Sequence, residues 1–490
     1  MITTDREEQR SGVGSRGLEA LRQMREARRA FQDEVAEHRD DWIHANRYFY
    51  DSLEKMLRFI VEPGRRVLGV RCQTGRLLAS VEPSYGVGVE IGERMVDCAR
   101  RNLPNLNFVQ GDPEDLNLGE TFDFVLFDHV FDTVDILQAL ERIRQHCNAD
   151  TRLVIINYNQ LWEPILELAS KTGLRSKFVE PNWVSEHDTV GFLRVAGFAP
   201  IRTHRLLLCP KRIPLLSEVI NGFGARLPGL RRLCLINMIV ARPLPEPKRE
   251  EELTVSVVVP CRNEAGNVQS AVERIPSMGK DTEIIFCDDQ SSDGTADEVR
   301  RMQTCHPEKI IRLVGGPGIC KAENVWTGFR ASSGDVVMIL DADLSVMPEE
   351  LPEFFRALAR GRGEFINGSR LVYPMQRNAM KFTNMIGNKF FGLLFSFLLD
   401  QRIKDTLCGT KALWRKDWLR LEKTLGTWGI RDAWGDYELL FGATKLHLAI
   451  VEVPVHYQER IHGVTKMTRV LSNGLRMLRI CLHAWQRLKG

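Results

Sequence analysis

Short, nearly continuous apolar runs alternate with stretches whose apolar positions recur every three to four residues, and this rhythm fills most of the chain. After Pro63-Gly64 the runs Arg66–Val70, Gly86–Glu90, Leu106–Gln110, Phe122–Phe127, Leu153–Asn157 and Ala199–Leu208 predict strands. Between them, Gly92–Asn102 and Val134–Cys147 carry the helical period. A stretch rich in proline and charge, Pro243–Glu252, interrupts the pattern, and a second series follows at Val255–Pro260, Glu283–Cys287, Lys309–Val314 and Asp335–Leu340. Strands alternating with helices pair in parallel and are covered on both faces. We therefore expect an α/β protein of two doubly wound domains, residues 42–242 and 253–466, joined by a linker at 243–252. Residues 1–41, dominated by Arg and Glu, read as a charged tail or solvated helix, and 467–490 as a basic amphipathic helix.

Composition narrows the function classes. With 490 residues, 43% of them apolar, the chain can bury two cores, and its net charge of +3 gives no expectation of a nucleic-acid partner. Its eleven cysteines show neither CxxC nor zinc-ligand spacing, which reads as reduced thiols in the cytoplasm. The start, MITTDREEQR, lacks the pattern of a secretory signal. The longest apolar run, Phe390–Leu399, is about half of a membrane span.

In the first series, VLGVRCQTGRLL (67–78) is a strand followed by a turn, GVGVEIG (86–92) ends a strand on Glu90, and Gly111-Asp112 opens an acidic turn. This order resembles the class I S-adenosylmethionine (SAM) methyltransferases over roughly 42–240. The resemblance implies a Rossmann-like methyltransferase fold, with Glu90 on a ribose, Asp112 on the adenine side and Gly75 in the glycine turn. The family's turn is G-x-G-x-G, and its glycines let a cofactor approach bare backbone. Here Arg71 and Gln73 replace the first two, and Gly69 stands where an acid would hold the cofactor's ammonium group. SAM is therefore not expected as a cofactor, and the domain is expected to be inactive.

The second series carries more chemistry. VSVVVPCRNE (255–264) and IIFCDDQSSDGT (284–295) are apolar strands running into polar turns, at the end of the sheet where such folds bind ligands. GGPGICKAEN (315–324) is a glycine loop leading to a helix with Lys321. VVMILDADLS (336–345) ends an apolar strand in two acids one residue apart. On an extended backbone Asp341 and Asp343 face the same way and share a hard cation.

These ordered motifs resemble glycosyltransferase family 2, most closely its polyisoprenyl-phosphate branch, the dolichyl-phosphate-mannose-synthase-like enzymes. The resemblance covers 254–470 and implies a GT-A nucleotide-diphospho-sugar transferase fold with inverting, metal-dependent sugar transfer. It places the nucleotide sugar, UDP- or GDP-linked, on Pro260, Arg262, Glu264, Asp288, Asp289, Lys321, Asp341, Ala342, Arg370 and Lys466. Mg²⁺ or Mn²⁺ falls to Asp341 and Asp343. NGSR (367–370) and DTLCGTKALWR (405–415) match acceptor-side segments, with Cys408 read as packed core. WGDYELLFGATK (434–445) offers Asp436 or Glu438 as a base, and the R-x-x-G-x-S/T-K signature appears as Arg460, Gly463, Thr465 and Lys466. The catalytic set is thus Asp343, Asp436, Glu438 and Arg460.

Two segments bear on a lipid acceptor. NAMKFTNMIGNKFFGLLFSFLL (378–399) turns strongly apolar, and from Arg460 onward there are basic residues but no acid. Leu471, Leu475, Leu478, Leu482 and Trp485 recur at helical spacing among arginines, as on an interfacial helix. Together with the resemblance, this gives the expectation of a peripheral enzyme at the inner membrane face acting on a polyprenyl phosphate. A hydroxyl acceptor and a bifunctional methylating enzyme are the open alternatives.

Overall fold

The computed structural model describes residues 15–172, 182–373, 382–427, 432–458, 460 and 470–488. It divides into two units, Met1–Leu244 and Pro245–Gly490.

The first unit is built on β1 (Arg66–Val70), β2 (Tyr85–Glu90), β3 (Asn107–Gln110), β4 (Phe122–Phe127), β5 (Cys147–Tyr158), β6 (Phe198–Leu206) and β7 (Ile236–Pro243). They form one sheet in the order β3-β2-β1-β4-β5-β7-β6, with β7 antiparallel to both of its neighbours. Apolar residues of β1, β4 and β5 point alternately into two cores, one on each face, which is why these runs read as continuously apolar. Strand β7 was not expected. It runs through Pro243, paired with Phe198, so the proline counted at the start of the linker closes a strand instead.

Residues 15–35 correct the expectation of a solvated tail. Ser15–Val35 is a helix whose Arg28 is 2% and Gln32 1% exposed. Their polar ends meet Asp132, a counter-charge about a hundred residues away in sequence.

The second unit contains β8 (Thr254–Cys261), β9 (Asp281–Asp288), β10 (Ile310–Gly315), β11 (Val336–Ile339), β12 (Phe365–Ser369), β13 (Lys411–Trp414) and β14 (Ile450–Pro454). The order is β10-β9-β8-β11-β13-β12-β14, with β13 antiparallel to β11 and β12. The chain moves outward from β8 to β10 and then returns to the other side of β8 as β11. Strand order reverses there, and the carboxyl ends of β8 and β11 flank the crevice where open α/β sheets bind ligands.

Candidate active site

Beyond β11 the Leu340 N–H still bonds the Val258 carbonyl (3.0 Å), and then the chain turns. Asp341 and Asp343 therefore do not lie on an extended strand end, as their spacing had implied. A turn closes from the Leu344 N–H to the Asp341 carbonyl (3.1 Å), with Leu344 at φ 52°. Asp343 stabilises the reversal by accepting the Ser345 N–H (3.0 Å) and hydroxyl (2.7 Å) through Oδ1. The chain then runs through Pro348–Glu350 into the helix Leu351–Ala359, which packs on β12 and β13.

Each acid faces a cation. Lys321, the first residue of the helix Lys321–Ala331, brings Nζ to 2.5 Å from Asp341 Oδ1. Arg460 Nη2 lies 2.9 Å from Asp343 Oδ2. Burial opposes ionisation of Asp341, but Lys321 outweighs it and holds the carboxyl below its ordinary range. In the same way, Asp341, Asp436 and Asp343 hold Lys321 protonated against its own burial. Gly409 lets this packing happen: a Cβ there would sit 2.3 Å from Asp341 Oδ2.

Asp436 opens the helix Asp436–Lys445 and accepts a hydrogen bond from Lys411, a fully buried lysine that also donates to the Cys408 carbonyl. The turn before this helix packs on the Lys321 helix, with the Ala322 N–H bonded to the Ala433 carbonyl (3.2 Å). Asp436 is thereby drawn into the acid–lysine cluster. Glu438 instead accepts the Gly426 N–H (3.3 Å).

Around the nucleotide-side positions, Pro260 is near the end of β8, and Glu264 accepts from Asn267 (2.8 Å) at a helix start. Asp289 is buried and accepts the Gly318 N–H (2.6 Å), tying down the glycine loop, with Arg262 3.6 Å away. Asp288 fixes the same loop through its carbonyl (Gly316 N–H, 2.7 Å), while its buried Oδ1 has no hydrogen-bond partner. Ala342 is buried in the acid turn. Lys466 lies outside the described residues.

Arg370 makes a bidentate pair with fully buried Asp405 (2.7 and 2.9 Å), which also accepts from Asn388 (2.8 Å). Burial raises the Asp405 pKa, but Arg370 overrides it and brings it to about 2. A depressed acid contributes stability above its unfolded pKa near 4 and loses it as pH falls through 2, here roughly 2 kcal/mol. Asp405→Asn should therefore lower thermal stability at pH 7, with the gap from wild type narrowing towards pH 2; an unchanging gap would exclude this charge term. Lys411 and Asp405 were not assigned roles from sequence. Their only signal was charge inside DTLCGTK, a segment otherwise apolar enough to be core. Cys408 is core as expected, its thiol pushed up to about 12 by burial.

In the first unit the equivalent end of the sheet is formed by β1, β2 and β4. Arg71 (φ 58°) and Gln73 (φ 50°) keep the left-handed backbone that favours glycine, at a cost of about 1 kcal/mol each. Buried bonds offset that cost. Glu90 Oε1 accepts from Arg71 (3.0 Å) and the Ile91 N–H (2.8 Å), and its Oε2 accepts the Gln73 N–H (2.9 Å). Arg71 also donates to Asp132, and Gln73 joins Arg39 (2.7 Å) to His129 (2.9 Å). Asp112 accepts the Glu114 N–H (2.9 Å) and lies 3.9 Å from Arg25 of the first helix. Gly75 retains its turn (φ 80°), where a Cβ would strike the Phe108 ring at 2.5 Å.

Comparison with known proteins agrees with this division. Residues 256–421 match the family model "Glycosyl transferase family 2" and 67–150 the model "Methyltransferase domain". A dolichol-phosphate mannosyltransferase of Pyrococcus furiosus is 35% identical over 122 residues, 24% of this chain and 34% of that protein. An undecaprenyl-phosphate 4-deoxy-4-formamido-L-arabinose transferase of Edwardsiella ictaluri is 33% identical over 111 residues, 22% of this chain and 34% of that protein. The chain thus spans about a third of the length of these relatives. A glucosyl-3-phosphoglycerate synthase of Mycobacterium tuberculosis, solved with Mn²⁺, UDP and its product, aligns over 48% of this chain and 80% of its own, at 19% identity and a TM-score of 0.35. Two segments of the chain are thus similar to known families, the earlier one to a methyltransferase domain and the later one to glycosyl transferase family 2.

Proposed function

We propose that the second unit moves a sugar from a nucleotide diphosphate to a polyprenyl phosphate at a membrane surface, with inversion. The observation that carries this reading is the pair Asp341 and Asp343 at the topological crossover, each matched by a cation. Among the described residues no group of three or more His, Cys, Asp or Glu is arranged to hold a metal ion. Two carboxylates suit Mg²⁺ or Mn²⁺ whose other ligands are phosphate oxygens and water. Such an ion, when bound, supplies Lewis-acid neutralisation of the leaving diphosphate. Lys321 and Arg460 neutralise the acids here and are placed to turn to the phosphates of a donor. The unpartnered Asp288 oxygen is the natural acceptor for the donor's base or ribose.

The candidate bases support this acceptor class. Asp436 is tied to Lys411, and Glu438 bonds a neighbouring loop, so neither is arranged to take a proton from a hydroxyl. A phosphate acceptor is already an anion and needs no strong base. Two relatives are named for dolichol and undecaprenyl phosphates.

A membrane contact is supported by the apolar faces of Phe382–Leu399 and Val470–Leu488. These helices contact each other, and Phe395, Ile480 and Ala484 are buried while Leu393, Leu475, Leu482 and Arg479 are exposed. Among the described residues no helix is long and apolar enough to cross a membrane.

In the first unit the residues present do not fit SAM, because the acids that would receive it are bound by the chain's own arginines. We read this unit as retained without methyl transfer. The test is a panel of UDP- and GDP-sugars incubated with undecaprenyl phosphate, with and without EDTA. Lipid-linked sugar that disappears with EDTA is expected, and transfer confined to hydroxyl acceptors would overturn the lipid reading.

A further inference from the structure

The first unit has an apolar surface that its core does not explain. The helix Leu216–Gly222 is inside out: its one buried residue is Ser217, while Leu216 and Val219 are exposed and the preceding Leu215 is 79% exposed. Polar bonds fasten it from beneath. Ser217 Oγ donates to the Ile213 carbonyl (2.8 Å), and Asn221 bonds the Cys209 carbonyl (2.7 Å) and the Tyr48 hydroxyl (2.9 Å).

More exposed leucines follow along the chain. The helix is followed by the turn Gly224–Arg226 and then Leu230–Leu233, where Leu230 and Leu233 are exposed. Trp162 Nε1 donates to the Leu233 carbonyl (2.7 Å), and Asn159 to those of Arg232 and Cys234 (both 2.8 Å). These bonds seat the helix Glu163–Lys171 alongside. That helix has no buried residue, and Leu161, Ile165 and Leu168, spaced to share one face, are exposed.

Apolar side chains grouped this way mark an interaction surface, whereas single exposed leucines do not. Charge identifies the occupant. Between residues 211 and 233 stand Lys211, Arg212, Arg226, Arg231 and Arg232 against Glu218 alone; Glu163 and Glu167 lie on the neighbouring helix. An apolar face fringed by cations is complementary to the headgroup layer of an anionic bilayer, with leucines entering the acyl boundary and cations meeting lipid phosphates.

From this we infer that the methyltransferase-type unit docks on anionic phospholipid through Leu215, Leu216 and Val219 and the basic residues around them. The inference stands on this unit alone and does not require the acceptor reading of the second unit. It gives the unit a task in which no methyl transfer is involved.

The test uses the full chain and sedimentation with vesicles of phosphatidylglycerol and phosphatidylcholine, or of phosphatidylcholine alone. Leu215→Ser/Leu216→Ser/Val219→Ser should lower partitioning onto the anionic vesicles at least about tenfold, with an unchanged far-ultraviolet dichroism spectrum. Arg212→Glu/Arg232→Glu should weaken it and reduce its salt dependence. Leu475→Ser/Leu482→Ser, on the second unit, provides the comparison. Partitioning lost only in that variant would overturn the inference while leaving the second unit's membrane reading intact. A triple-serine variant that binds vesicles normally but no longer self-associates would also overturn it, by assigning the surface to a second copy of the chain.

Discussion

Asp341→Asn will reduce transfer from a nucleotide sugar by about a thousandfold or more, while the second unit stays folded. The scale is that of losing preorganised neutralisation of the leaving group, because the carboxamide keeps the shape of the site but is a poor ligand for the cation that would supply it. Folding should tolerate the change because the protein does not leave Lys321 stranded: Asp436 and Asp343 also act on it. Asp343→Ala should be as severe for turnover, since it also frees Arg460 from its partner. Both variants should bind Mn²⁺ with UDP more weakly in calorimetry. Near wild-type turnover in Asp341→Asn would remove the observation on which the enzymatic reading stands.

Arg71→Met will destabilise the first unit by about 3–5 kcal/mol and will not bring SAM binding. Arg71 is buried and is the common partner of Glu90 and Asp132. Removing Arg71 takes the cation from buried Glu90 and one of two from Asp132, which keeps Arg28, and leaving a buried carboxylate without its counter-charge costs far more than the pair contributes in net terms. Burial works against the guanidinium, but Glu90 and Asp132 hold it charged, so this is an ionic contact across the working pH range. Denaturant unfolding followed by the first unit's tryptophans, Trp42, Trp162 and Trp183, should show the shift. Titration of the wild type with SAM should release no heat. Micromolar affinity would mean that Arg71 and Gln73 yield to the cofactor and that the bifunctional alternative holds.

The two units were legible in the chain to different depths. Strands such as β1 and β4 were found to the residue, because a strand buried on both faces must be apolar throughout. The paired acids were equally visible, since charge at the end of such a run has to be compensated. Their backbone was misjudged: spacing alone cannot distinguish an extended end from the turn that closes between Asp341 and Leu344. The amino-terminal helix was misjudged for a related reason. Arg28 looked solvated until Asp132 was brought beside it.

Local pattern by itself thus determined the α/β class and the division into two units and singled out the pair Asp341 and Asp343, because each is written in consecutive residues. Tertiary structure alone decided which charges neutralise which: Lys411 with Asp436, Arg370 with Asp405, and Arg71 with Glu90 and Asp132. These pairings join residues 19 to 61 positions apart. No sequence spacing encodes such a contact, since the fold brings the partners together and burial makes them indispensable.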